Sequence, residues 1–186
     1  MSPILGIIAS SQQSAFISTT AYESIATVTV GSGGAASISF TSIPSTYQHL
    51  QIRGISNSGD ASYIAAQFNG DTGSNYSNHA IYGDDSGTLV GQFTTPSSNF
   101  FVSRSNYSAG NIFGTGICDI LDYTNTNKFK TTRTLAGNDS NGTAGGVLFV
   151  SSGNWRNTAA VTSILIYPTS GNFRQHSSFA LYGIKG

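Results

Sequence analysis

Charge is what this sequence has least of. Across 186 residues, 8 Lys and Arg face 8 Asp and Glu, so 9% of positions are charged and the net charge is zero. An ordinary soluble domain has roughly 25%. Proteins that work by field are thereby excluded: there is no basic face for a phosphate backbone, no acidic tail and no polybasic patch for a membrane surface. Nucleic acid is not an expected partner. Cysteine is nearly missing too. The single Cys118 permits no internal disulfide, and its apolar neighbours read as core strand, which makes it a buried, unreactive thiol. Glu23 is the one glutamate, so a glycosidase-type carboxylate pair would have to be two Asp brought together by the fold. No Lys or Arg precedes Arg53. The apolar opening Met1–Ala9 therefore lacks the positive flank of a secretory signal, and no run approaches the roughly 18 apolar residues of a membrane helix.

What replaces charge is small and neutral: 22 Gly, about a quarter Ser plus Thr, and many Asn. With 38% hydrophobic and 11% aromatic residues at zero net charge, the composition is the opposite of a disordered chain. The length suits one domain of roughly 150 residues with a short appendage. Hydroxyl and amide side chains bond without field, which fits contact with identical copies or with neutral ligands such as sugars. A near-neutral surface also favours self-association. Asn-x-Ser/Thr triplets at Asn75, Asn106, Asn138 and Asn141 arise by chance in so Ser- and Asn-rich a chain.

Residues 1–20 divide from the rest. Ile4, Leu5, Ile7 and Ile8 form an apolar plug, read either as a first edge strand with a linker or as an arm that inserts into a partner. From Tyr22 onward the period is two. Ala36, Ile38 and Phe40 alternate with polar residues, as do Leu50 and Ile52, and Ile64, Ala66 and Phe68. Residues 112–123, 147–150, 161–167 and 179–184 are apolar on both faces, which places them at a sandwich centre or against a neighbouring subunit. Clusters of Gly, Asn, Asp and Ser punctuate these runs. The expectation is an all-β chain of nine or ten strands: an antiparallel, jelly-roll-like β-sandwich over 21–186 with an extended N-terminal arm over 1–20. The only helical candidate is a turn at Asn154–Ala160.

Chemistry-bearing constellations are sparse. Asp71, Asn75 and Tyr76, followed by Asp84 and Asp85, are the densest oxygen-rich loops and the candidates for ligand contact. Loops of this kind can hold calcium, but the spacing is not that of an EF-hand, and Asp and Asn cap turns for local reasons. No metal or cofactor is expected. His79 lies in sequence between Asp71 and Asp84, an arrangement open to acid/base work, yet no nucleophile elbow or metal-ligand spacing accompanies it. Asp119 and Asp122 read as a strand end and a turn, and His49 and His176 as surface or satisfied residues. Lys128, Lys130 and Arg133 read as outward charges guarding an edge strand. Trp155, between Asn154 and Arg156, reads as a loop aromatic that anchors the core or an interface, or alternatively stacks on a sugar.

Several segments together carry a likeness: Tyr47–Gly54 (YQHLQIRG), Phe68–Tyr76 (FNGDTGSNY), Asp119–Lys128 (DILDYTNTNK), Ser152–Arg156 (SGNWR) and the terminal FALYGIKG. Across nearly its whole length the chain resembles a group of small virion proteins of tailed bacteriophages, particularly of aquatic hosts. The resemblance has no catalytic motif to transfer. It implies a non-enzymatic structural role in the virion: a tail or head fibre or host-recognition element anchored by its N-terminal arm, or alternatively a capsid decoration protein. By analogy it implies a homo-oligomer, taken as a trimer, in contact with other virion proteins and with a host cell-surface glycan. A free carbohydrate-binding module is the more remote alternative.

Overall fold

A computed structural model describes residues 21–60, 62–105, 111–140 and 145–186. The arm residues Ile4, Leu5, Ile7 and Ile8 lie outside them. The described chain is all-β: β1 (Tyr22–Thr29), β2 (Ile38–Phe40), β3 (His49–Ser56), β4 (Tyr63–Phe68), β5 (Tyr76–Asp84), β6 (Leu89–Ser97), β7 (Phe100–Arg104), β8 (Gly114–Leu121), β9 (Lys130–Asn138), β10 (Val147–Trp155), β11 (Ile164–Pro168) and β12 (Ser178–Ile184). No helix among the described residues is long and apolar enough to cross a membrane. The expected helical turn at 154–160 is absent: Asn154 and Trp155 finish β10, and an irregular segment follows.

The strands form two antiparallel sheets, one of eight in the order β1-β12-β3-β8-β9-β10-β5-β6 and one of four in the order β2-β11-β4-β7. Four pairings nest inside one another: β1 with β12, β2 with β11, β3 with β8 and β4 with β7. A long hairpin folded on itself and rolled into two sheets gives that nesting, which is the jelly-roll pattern expected from the sequence. Two further hairpins, β5–β6 and β9–β10, are inserted into it and join edge to edge through β10 and β5. They raise the strand count to twelve and extend the larger sheet past β8.

The main core lies between the sheets. Alternation puts Leu50 and Ile52 of β3, Ile64, Ala66 and Phe68 of β4, Ile164 and Ile166 of β11 and Phe179 and Leu181 of β12 inside, all buried. Each of the Leu, Ile and Phe side chains is worth about 1.5–3 kcal/mol on burial. Cys118 sits in this core, where burial pushes its thiol pKa up to about 12. A smaller cluster of Ala80, Ala136 and Phe149, with Tyr63 and Phe101 against it, lies under the inserted hairpins. The layers approach most closely where β7 crosses β8. A Cβ on Gly114 would come within 2.1 Å of the Arg104 carbonyl oxygen, and one on Gly116 within 2.6 Å of that of Val102. The Gly-Thr-Gly sequence of β8 is thus required by backbone contact.

The β1 edge is fastened by its one glutamate. Glu23 accepts a hydrogen bond from the Tyr47 hydroxyl at 3.0 Å and an ion-paired one from Lys185 Nζ. The two together hold its carboxyl below the ordinary range, the Lys185 contact contributing most.

Candidate functional site

The expected ligand loops separate in space. Asp71, Asn75 and Tyr76 lie at the start of β5 and Asp84 and Asp85 at its end, and nine residues of strand put about 27 Å between them. His79 stands midway on the outer face, stacked on Phe93 with ring centroids 5.9 Å apart. Asp71, His79 and Asp84 therefore occupy three levels of one strand, and the fold does not bring them together.

At the first end, polarity is spent internally. Trp155 is not a loop residue: β10 pairs with β9 and β5 right up to Lys130 and Tyr76, so its indole is buried in the core. Its Nε1 donates to Asp71 Oδ2 at 2.7 Å, while Gly73 N donates to Oδ1 at 2.9 Å and Asn75 Nδ2 bridges both oxygens. These donors, Trp155 foremost, keep the Asp71 carboxyl below its usual range. The Tyr76 hydroxyl, also buried, accepts from Phe68 N at 3.0 Å and donates to the Asp71 carbonyl at 3.2 Å, and its own pKa is raised by burial. Asn69 completes the corner by accepting from Thr162 N and Ser163 N. Four of the six expected ligand residues thus tie the β4–β5 loop to β10.

At the other end the two carboxylates divide their work. Asp84 caps its own turn through Ser86 N and Oγ, and Asp85 Oδ2 accepts from Gly145 N at 2.7 Å and Gly146 N at 2.8 Å. Beside them is an open concavity of about 510 Å³ whose rim includes Asp84, Asp85, Phe113, Thr115, Asn138 and Leu148. Among the described residues, no group of three or more His, Cys, Asp or Glu is placed to hold a metal ion.

The basic run departs from expectation. Strand β9 is interior, between β8 and β10, so there is no edge for it to guard. Arg133 points outward and pairs with Asp119 at 2.8 Å, and Lys128 pairs with Asp122. Lys130 is fully buried, its Nζ donating to the carbonyls of Asn125 at 2.6 Å, Thr158 at 3.0 Å and Lys128 at 3.1 Å. Period two puts residues 130 and 133 on opposite faces, which the simple reading of an outward basic row overlooks. His49, expected like His176 to be a surface or satisfied residue, accepts from Asp122 N through Nδ1 at 2.9 Å.

The largest feature is one the loop-centred reading does not single out. The inner face of β9 and β10 carries Lys130, Thr132, Thr134 and Ser151, all buried, while Leu135, Leu148 and Val150 face out. The usual partition is reversed at these positions, although Ala136, Phe149 and Trp155 of the same two strands are buried apolar residues in the ordinary sense. Cross-strand register extends this outer face in both directions: Ile117 lies opposite Leu135, Leu135 opposite Val150, and Val150 opposite Ile81. In the flanking rows Ile55, Leu148, Leu89 and Phe93 also face out, Leu89 being 74% and Phe93 68% exposed. A trough of about 560 Å³ runs along the β5–β6 side, walled by Ile81, Phe93, Val150 and Arg133. The sequence signal was present in the doubly apolar stretch 147–150.

No protein-family model matches the chain, and no curated protein matches it. Among solved structures, a chain from Bacteroides vulgatus described as a candidate pore-forming toxin aligns at 11% identity over 77% of this chain and 60% of its own length, with a TM-score of 0.10. The chain thus spans less than two thirds of that neighbour, and the likeness carries no argument about fold or function.

Proposed function

We propose that this chain is a non-enzymatic structural subunit of a tailed-bacteriophage virion, a tail or head fibre or host-recognition element present in several copies. The observation that supports this reading is the inverted face of β9 and β10. A solitary domain gains nothing by exposing Leu135, Leu148 and Val150 side by side, whereas a subunit that meets its neighbours there does. The low charge and the family resemblance point the same way. In this reading residues 1–20 attach the subunit, and the open Asp84–Asp85 end contacts a neutral cell-surface glycan.

Labelling the protein in intact, purified particles tests the role. Many copies per particle, clustered on the tail or at fibres, are expected; a capsid decoration protein would instead label the head shell. Absence from purified particles overturns the virion role in both forms.

A further inference from the structure

We infer that the outer face of the larger sheet, from β3 to β6, pairs with the same face of a second copy of this chain about a two-fold axis. The inference rests on the assembled-subunit reading above and names the surface that assembles.

Three observations carry it. First, size: eight large apolar side chains from six consecutive strands stand in adjoining rows, each exposed between 43% and 74%. They form one contiguous patch across six strands, where a monomer's largest apolar patch is about 300–600 Å² and a standard interface takes about 800 Å² from each partner. Second, shape: the rows contain notches as well as knobs. Gly83 lies opposite both Leu148 and Leu89, and Gly91 lies opposite Ile81. A Cβ on either glycine would meet nothing within 4 Å. The protruding Leu148, Leu89 and Phe93 of one copy thus face sockets that the identical surface of another provides. Third, uniqueness: among the described residues the other large exposed apolar side chains are Tyr22, which lies against the Arg53 guanidinium, and Phe129, beside β9. Among the described residues neither makes a second patch for a head-to-tail contact, which favours the isologous case.

Charge permits the pairing. The ionic groups at the margin, Asp119 and Arg133, neutralise each other within one chain, and Gln51 Nε2 donates to Asp119 at 2.8 Å. Arg53, opposite Ile117 in the same outer row, is held within its own chain by the Tyr22 and Tyr182 rings and by Gln51 Oε1, to which its Nε donates at 2.7 Å.

The test uses the purified full-length chain. Sedimentation equilibrium at micromolar concentration is expected to give twice the chain mass, and the outward double substitution Leu135→Glu, Val150→Glu to give the single-chain mass with the melting temperature retained. Val150→Cys supplies a reading that does not depend on that variant folding. Placed near the centre of the face, it is expected to form a disulfide-linked pair under mild oxidation, whereas wild-type Cys118, fully buried, is not. A single-chain mass for the wild type, a three-chain mass, or pairing that survives both glutamates but is lost on deletion of residues 1–20 overturns the inference. Those outcomes leave the virion role standing, and absence from particles leaves the pair standing, so the two failures are distinguishable.

Discussion

The indole Nε1 of Trp155 donates to Asp71 Oδ2 across 84 residues of sequence at 2.7 Å. One end of this bond is the last residue of β10, buried against Phe68 and Tyr76. The other is a loop carboxylate that also takes Gly73 and Asn75. The bond fixes how the inserted β5–β6 hairpin leaves the jelly roll, because the β4–β5 loop is held at the end of β10.

Asp71→Asn removes the charge from this bond and is expected to cost about 1–2 kcal/mol at neutral pH, the worth of a hydrogen bond to a charged acceptor in a partly exposed site. Because the folded carboxyl sits below its ordinary value, its contribution is present above about pH 4 and disappears as pH falls through the folded pKa. Urea unfolding followed by circular dichroism should show stability falling with acid in the wild type and a shallower fall in the variant.

Lys130 presents a different balance. Its ammonium is surrounded by three backbone carbonyls, and Ala would take that donor from all three. Lys130→Ala is expected to lose about 3 kcal/mol, and Lys130→Met, which keeps the packing of the stem, about 2 kcal/mol. Equal stability of wild type and Met variant in urea would show that the carbonyls find water instead.

The thiol of Cys118 should be silent in the folded state. It is fully buried, and its pKa, pushed up to about 12, leaves almost no thiolate at neutral pH. A maleimide reagent is expected to label it only in denaturant; labelling of the native protein at a comparable rate would place the thiol at the surface.

Gly116→Ala drives a Cβ to within 2.6 Å of a backbone oxygen on β7, where neither strand can yield, and should destabilise by about 3 kcal/mol or prevent folding. Gly31→Ala, whose Cβ meets nothing within 4 Å, is expected to change stability by less than about 0.5 kcal/mol. Thermal melts of the pair isolate steric closeness from the general effect of replacing glycine.

The parts of the fold that alternate in the ordinary sense were legible. Leu50 and Ile52, or Ile64 to Phe68, announce strands whose apolar members point inward, and they do. The inserted hairpins were harder because β9 and β10 put polar residues inside and apolar ones outside at several positions. Reading apolar as inward in β9 and β10 would bury Leu135 and Val150, yet Thr132, Thr134 and Ser151 are inside. Thr134 is satisfied by the Phe101 carbonyl at 2.8 Å. Trp155 was masked by its flanks, since Gly153, Asn154 and Arg156 have turn composition and only pairing with two strands carries β10 that far. The oxygen-rich loop 69–76 looked like a site because side chains that bind a ligand and side chains that bind a neighbouring loop have the same composition. Their partners, Trp155, Thr162 and Ser163, are distant in sequence.

The Glu23 contacts have a mechanical consequence. Any load arriving through residues 1–20 is received by β1, which among the described residues forms its ladder with β12 alone. The pull is then borne by the β1–β12 ladder, to which the clasp of Tyr47 and Lys185 on Glu23 adds a side-chain tie.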